Sequence, residues 1–311
     1  MEAIVLSKDV LLFKNVLKDV KKTHQIVTES KTNKDPYLGN WEDWRPWGQY
    51  SKFFPLEDKS YKTDNGDGAE LVKECLSIFF NALKIYKDNY MNEEYFEKYG
   101  FPKDFPTSLE ELEESFNSHD PDRYSIGDVL LLESENTSKE RILSMDYHQD
   151  RRFWFGGVPH VFNFNIYTND DYEGGAIRFI NTHDAEIKKY KDAFSGKEGE
   201  YLLVDDFFEY KMEAGDAMLF RTDHYHAVTP VIGNKFYIRQ FLSAKMPKEY
   251  WDLKKETSEE EFNQILKQKE KEGFENRPSM VLFDNEDSII LDSPTYADWH
   301  GVLVPCVLKK K

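Results

Sequence analysis

The stretch Phe220–Phe241, FRTDHYHAVTPVIGNKFYIRQF, decides the fold. It carries two histidines one residue apart, His224 and His226, and then a strand-like run in which Lys235, Tyr237 and Arg239 share one face. A lysine inside an otherwise apolar run is costly to bury unless it meets an anion. The two histidines beside it raise a second question, whether one of them holds a metal and which.

Outward from this stretch the texture is that of short strands. YSIGDVLLLES, RILSMDYHQD, HVFNFNIYTN, GGAIRFIN, GEYLLVDDFFEY and DAMLFRT are strand-length runs separated by turn residues, without helices between them. That pattern predicts a sandwich or barrel. The flanks differ. Ile4–Ser30 reads as a short strand and then a helix, and the aromatic WEDWRPWGQYSKFFPLEDKS reads as an ordered loop. From Ala69 to Tyr86 the apolar positions recur at helical spacing, which predicts a core-facing helix. PTSLEELEESF reads as a short helix capped by Thr107 or Ser108 with Glu111 in reach. Beyond Met246 the chain turns charged and helical, with Thr257 and Glu260 as a capping box, and the last stretch is expected to pack back. The expectation is one domain: helical support and loops over 1–122, a β-barrel over 123–246, and a helix and tail over 247–311.

A net charge of −17 over 311 residues argues against broad contact with nucleic acid and against adhesion to anionic membranes. The two cysteines, Cys75 and Cys306, make neither a disulfide framework nor a CxxC site. No apolar run approaches the roughly 20 residues that span a bilayer, and the N-terminus lacks a signal peptide's apolar core, so a soluble intracellular protein is expected. Oligomeric state leaves no mark on the sequence.

In MDYHQD, His148 and Asp150 stand two apart, so on a strand both face one ion. Alone this is a weak motif. A distant histidine after a later strand completes two His and one carboxylate, the facial triad of non-haem Fe(II) oxygenases. HAVTPVIGNK resembles the C-terminal part of the prolyl 4-hydroxylase family of Fe(II)/2-oxoglutarate oxygenases, which runs from the metal histidine through Pro-Val to a basic residue nine or ten positions on. His226 lies four residues before Pro230 and nine before Lys235, whereas His224 matches nothing. YTNDDYEGGAIRF, Tyr167 to Phe179, resembles the family's middle segment, and the likeness covers roughly Ile142 to Leu242.

The resemblance implies a mainly β fold with flanking α-helices, a double-stranded β-helix (a jelly-roll, cupin-like barrel). It implies His148, Asp150 and His226 on Fe(II), and O2 and 2-oxoglutarate as co-substrates with ascorbate as a candidate stimulant. Lys235 and Tyr167 are expected to hold the far carboxylate of 2-oxoglutarate, with Asn165 beside them. In HVFNFNIY, Asn163, Asn165 and Tyr167 fall on one face and Phe162, Phe164 and Ile166 on the other, as a polar-lined barrel requires. Arg239, with Asn163, is the candidate for binding a substrate carboxylate, since arginine suits bidentate capture. Arg151 and Arg152 are candidates to add to that positive pocket. Asp150 fills the position that halogenating relatives leave vacant, so hydroxylation or oxidative cyclisation is the implied outcome.

Substrate stays open at this level. A small carboxylate-bearing, amino-acid-derived molecule is one reading, enclosed by an aromatic loop carrying Trp44, Trp47 and Phe54. A prolyl residue in a peptide is the second, a non-catalytic ligand-binding barrel the third, and a cupin-like protein with another metal the fourth.

Overall fold

The computed structural model describes residues 1–8, 10–31, 42–45, 49–54, 60–63, 66–99, 101–111, 124–126, 129–135, 145–148, 150, 160–180, 186–191, 198–204, 207–244, 253, 256–262, 264–265, 268, 284–285, 288–291 and 306–309. The chain opens with β1 (Ala3–Ser7), β2 (Val10–Phe13), α1 (Val20–Glu29), β3 (Glu42–Arg45), β4 (Gln49–Phe54), α2 (Ser60–Thr63), α3 (Asp67–Asn89) and α4 (Glu93–Tyr99). The central region holds β5 (Ser125–Ile126), β6 (Val129–Glu135), β7 (Met145–His148), β8 (His160–Tyr167), β9 (Glu173–Gly174), β10 (Ile177–Ile180), β11 (Glu186–Lys191) and β12 (Glu198–Val204). It continues with β13 (Phe207–Tyr210), β14 (Ala217–Arg221), β15 (His226–Val228), β16 (Val231–Ile232) and β17 (Asn234–Ser243). The tail adds β18 (Asp284–Asn285), β19 (Ser288–Leu291) and β20 (Cys306–Lys309).

Two sheets build the centre. One runs β1-β2-β14-β8-β17-β6-β4-β3, and the other runs β13-β10-β15-β7. Every pair of neighbours in both is antiparallel. Within them, β14-β8-β17-β6 faces β13-β10-β15-β7, with successive strands crossing repeatedly from one sheet to the other. Two interleaved Greek keys of this order are a jelly roll. The fold is a double-stranded β-helix.

Pleat alternation explains why β8, β14 and β17 are buried on both faces. Phe162, Phe164 and Ile166 of β8 belong to an outer core that also contains the buried side of α3. Phe79 stacks on Phe164 with ring centroids 5.0 Å apart, and Tyr86 meets Phe162 edge-on at 4.7 Å. The positions singled out for helical spacing, Leu71, Val72, Cys75, Leu76, Phe79, Phe80, Leu83 and Tyr86, are all buried. The opposite side of the sheet lines the barrel. There Tyr167, Met218, Phe220 and Tyr237 meet Ile177 and Phe179 of the second sheet.

The flanks are more strand-rich than expected. Two strands stand where Ile4–Ser30 predicted one, and β2 pairs with β14, so the N-terminus widens the main sheet. The stretch read as an ordered loop contains the antiparallel pair β3–β4, and β4 pairs with β6. Its alternation was hidden because aromatic residues fall at odd and even positions alike. The tail contributes β18–β20 to a sheet with β11 and β12. The helix start near Thr257 is shifted by one: Ser258 Oγ accepts from Glu261 N at 3.2 Å, while Thr257 Oγ1 donates back to Leu253 O. Ser108 is the corresponding cap further upstream, accepting from Glu111 N.

Replacing Phe79 by Ala removes the ring stacked on Phe164 and is expected to cost about 3–5 kcal/mol of unfolding free energy. Urea denaturation checks this; a loss below about 1 kcal/mol would show that α3 does not close the outer core.

Candidate metal centre and co-substrate pocket

β15 supplies His226 to the barrel interior. Its residue directly opposite on β7 is His148, so the two occupy one cross-strand pair and share a face. For β7 only the backbone is described, and the placement of His148 rests on that register. Asp150 follows two residues later and is fully buried. Its Oδ2 lies 3.4 Å from His226 Nε2.

Neighbouring groups set the chemistry of this pair. His226 Nδ1 lies 3.0 Å from the backbone carbonyl of His224. A carbonyl only accepts, so Nδ1 carries the proton, and in the neutral ring Nε2 presents its lone pair towards Asp150. Nε2 is therefore the imidazole nitrogen that faces the carboxylate, and the two atoms can share a cation between them. Asn163 Nδ2 donates to Asp150 Oδ2. The carboxylate is an acceptor, so the amide nitrogen has to face it. Asn163, expected to meet substrate, therefore orients a metal-ligand candidate. Phe220 and Phe179 flank the His226 ring at 4.8 and 5.9 Å between centroids. The donor set suits a divalent metal. Among the described residues no group of three or more His, Cys, Asp or Glu gathers, the His148 side chain lying outside them.

Deeper in the barrel, β17 places Lys235, Tyr237 and Arg239 on the inner face as expected, against Tyr167 and Asn165 of β8. Lys235 is 2% exposed, and its Nζ donates to the Gly175 carbonyl at 3.0 Å. It also sits 5.6 and 5.5 Å from the ring centres of Tyr167 and Tyr237. Among the described residues no carboxylate forms a salt bridge with Lys235 or Arg239. Burial, and then the charge of Arg239, push the Lys235 ammonium down to about 7. Arg239 Nε donates to Asn165 Oδ1 at 3.1 Å. Burial pulls its pKa down, but Tyr237, Asp150 and Tyr167 outweigh this and hold it above the ordinary value. Burial, followed by Tyr172 and Tyr237, keeps the Tyr167 phenol protonated. A cation and a phenol donor without an acid between them fit a small dicarboxylate.

Gly174 and Gly175 make the approach possible. Both have positive φ, and a Cβ on Gly174 would lie 2.0 Å from the Pro230 carbonyl oxygen. A Cβ on Gly175 would press on Lys235 Cδ at 3.1 Å. Sequence reasoning had the Gly-Gly pair as a motif but not this cause. It also assigned nothing to His224, whose contribution is a main-chain oxygen and therefore invisible in residue identity. Arg151, Arg152 and Trp47 lie outside the described residues, as do the side chains of Trp44 and Phe54.

No protein-family model matches the chain, and no curated protein sequence does. Among solved structures it is similar to a prolyl hydroxylase from Trichoplax adhaerens in complex with a hypoxia inducible factor oxygen degradation domain peptide fragment. That likeness has 9% identity, covers 80% of this chain and 88% of that one, and has a TM-score of 0.45. It is also similar to a Pseudomonas putida prolyl-4-hydroxylase, at 11% identity over 76% of this chain and 93% of that one, TM-score 0.41. The non-haem α-ketoglutarate-dependent epimerase SnoN from nogalamycin biosynthesis is similar at 14% identity over 77% and 82%, TM-score 0.42. The fold of this chain rests on its own strand order.

His226→Ala is expected to abolish tight Fe(II) binding, while His224→Ala, which keeps its carbonyl, leaves it within a few-fold. Equilibrium titration with Fe(II) under nitrogen decides between them, and the reverse order would move the ligand to His224. Asn163→Leu should weaken Fe(II) binding about 10- to 100-fold, the usual effect of removing a ligand's orienting partner.

Proposed function

We propose that the protein is an Fe(II)/2-oxoglutarate-dependent oxygenase that activates a C–H bond of a small, carboxylate-bearing, amino-acid-derived substrate. The observation that carries the reading is a pair of buried cations, Lys235 and Arg239, inside a barrel that also buries Asp150 and His226. An acidic chain that buries two cations without acid partners among its described residues is built to receive anions.

In this reading His148, Asp150 and His226 hold the iron, and Lys235 and Tyr167 hold the distal carboxylate of 2-oxoglutarate. Iron, 2-oxoglutarate and dioxygen together supply an oxidant able to take hydrogen from a C–H bond, releasing succinate and carbon dioxide. The chain's own residues bind, orient and exclude water. His224 fixes the His226 tautomer, Asn163 fixes the carboxylate, and Asn165 fixes the guanidinium plane. The walls of Phe179, Phe220 and Tyr237 keep water from the reacting centre. Charge favours an anionic substrate. With Lys235 protonated, the two cations and a ferrous ion exceed Asp150 and a dicarboxylate dianion by one positive charge, which a substrate carboxylate on Arg239 would neutralise. A buried guanidinium, 8% exposed, suits a small enclosed molecule better than a chain passing over the surface.

The first test is anaerobic addition of Fe(II) and then 2-oxoglutarate to metal-free protein. A weak visible charge-transfer band that decays on admitting oxygen, with succinate formed, is the expected result. Amino acids and prolyl peptides are then ranked by how they hasten the decay. Iron binding without a band would sink the reading.

Lys235 adds a pH signature. Capture of a carboxylate requires the ammonium form, which is lost as pH rises through about 7. The dissociation constant for 2-oxoglutarate should therefore climb roughly tenfold per pH unit above that point, with one proton taken up on binding. Lys235→Met should weaken binding at pH 6 and flatten the profile. Calorimetry in buffers of different ionisation heat measures both.

A further inference from the structure

Tyr172 comes close to Lys235 at Gly175, and the reading above does not use it. It is 4% exposed and sits just before β9. A Cβ on Gly175 would lie 2.9 Å from Tyr172 Cε2 and 3.1 Å from Lys235 Cδ, so ring edge and lysine stem converge on this one glycine. Cε2 adjoins the ring carbon that bears the hydroxyl, which brings the phenol end to the residue whose carbonyl already holds Lys235 Nζ. On its outer side the ring is anchored: Lys211 Nζ lies 5.0 Å from the ring centre and donates to the Tyr172 carbonyl at 2.6 Å. After burial, the Tyr172 phenol is the next influence raising the Tyr167 pKa.

The Tyr172 hydroxyl is buried and has no hydrogen-bond partner among the described residues. A buried hydroxyl left unsatisfied destabilises the fold that keeps it, and Phe would fill the same space without that cost. Burial keeps the phenol protonated, so it is a donor waiting for an acceptor. A carboxylate offers about four acceptor sites, enough for an ammonium and two phenols.

We propose that the Tyr172 hydroxyl is a further binding group for the distal carboxylate of the dicarboxylate co-substrate, alongside Lys235 and Tyr167. This rests on the oxygenase reading and deepens it. Three donors grip the end of the ligand remote from the metal, so the pocket selects a 2-oxo acid whose far terminus is charged over one of equal length whose terminus is a methyl group.

The experiment compares full-length wild type with Tyr172→Phe in two measurements. Thermal melting without metal or ligand reports what the hydroxyl does for the fold. Anaerobic titration of the Fe(II)-loaded proteins with 2-oxoglutarate and with 2-oxopentanoate, followed by the charge-transfer band, reports what it does for the ligand. Expected are an unchanged or higher melting temperature, a ten- to hundredfold weaker affinity for 2-oxoglutarate, and an unchanged affinity for 2-oxopentanoate. Equal affinity of the two proteins for 2-oxoglutarate overturns the proposal. So does equal weakening towards both acids, which marks a general distortion, or a lowered melting temperature, which marks a structural hydroxyl. Wild type that binds iron but neither acid overturns the oxygenase reading itself, and this proposal with it.

Discussion

Side-chain alternation on two neighbouring strands, β8 and β17, is the constraint on which the rest of the structure depends. Both faces of these strands are buried, one against α3 and the other inside the barrel. A slip of one residue would send Lys235, Tyr237 and Arg239 into the packed layer under the helix and turn Phe236 and Ile238 into the pocket. The cost of burying two cations among Phe79, Phe164 and their neighbours makes that slip inaccessible. Register and site are therefore one decision, enforced by the outer core as much as by the inner one.

The pocket is held at some expense to stability. Lys235 binds a proton in the unfolded chain up to its ordinary pKa of 10.5, but in the fold only up to about 7. Between those values the unfolded state binds more protons, so on this account stability rises with pH across that window and is least favourable below it. The buried phenol of Tyr172 adds to the cost. Natural sequences commonly keep such violations at binding sites, where a ligand compensates what the empty fold does not.

The candidate metal centre shows how little of such a site would reside in its ligands alone. Cross-strand pairing sets His148 opposite His226, and a main-chain oxygen selects the imidazole nitrogen that faces the metal position. An amide from the adjoining sheet holds the carboxylate. Asn163 stands on one sheet and the His148–His226 pair on the other, so this arrangement exists only when the two sheets have closed on each other.

Much of this was legible in the amino-acid order, because strands repeat every two residues and helices every 3.6, and burial writes those periods into composition. The barrel strands, the buried face of α3, the inward Asn163, Asn165 and Tyr167, and the spacing from His226 to Lys235 could all be read locally. The β3–β4 pair could not, since the pairing of β4 with β6 is a long-range match that aromatic residues at both parities obscure. Neither could the partners: that Asn163 orients Asp150, that His224 serves through its carbonyl, and that Tyr172 and Lys235 meet over Gly175. The sequence by itself determined which residues face inward. Only the tertiary structure decided which of them touch, because contact depends on register, strand order and the close approach that a missing Cβ permits.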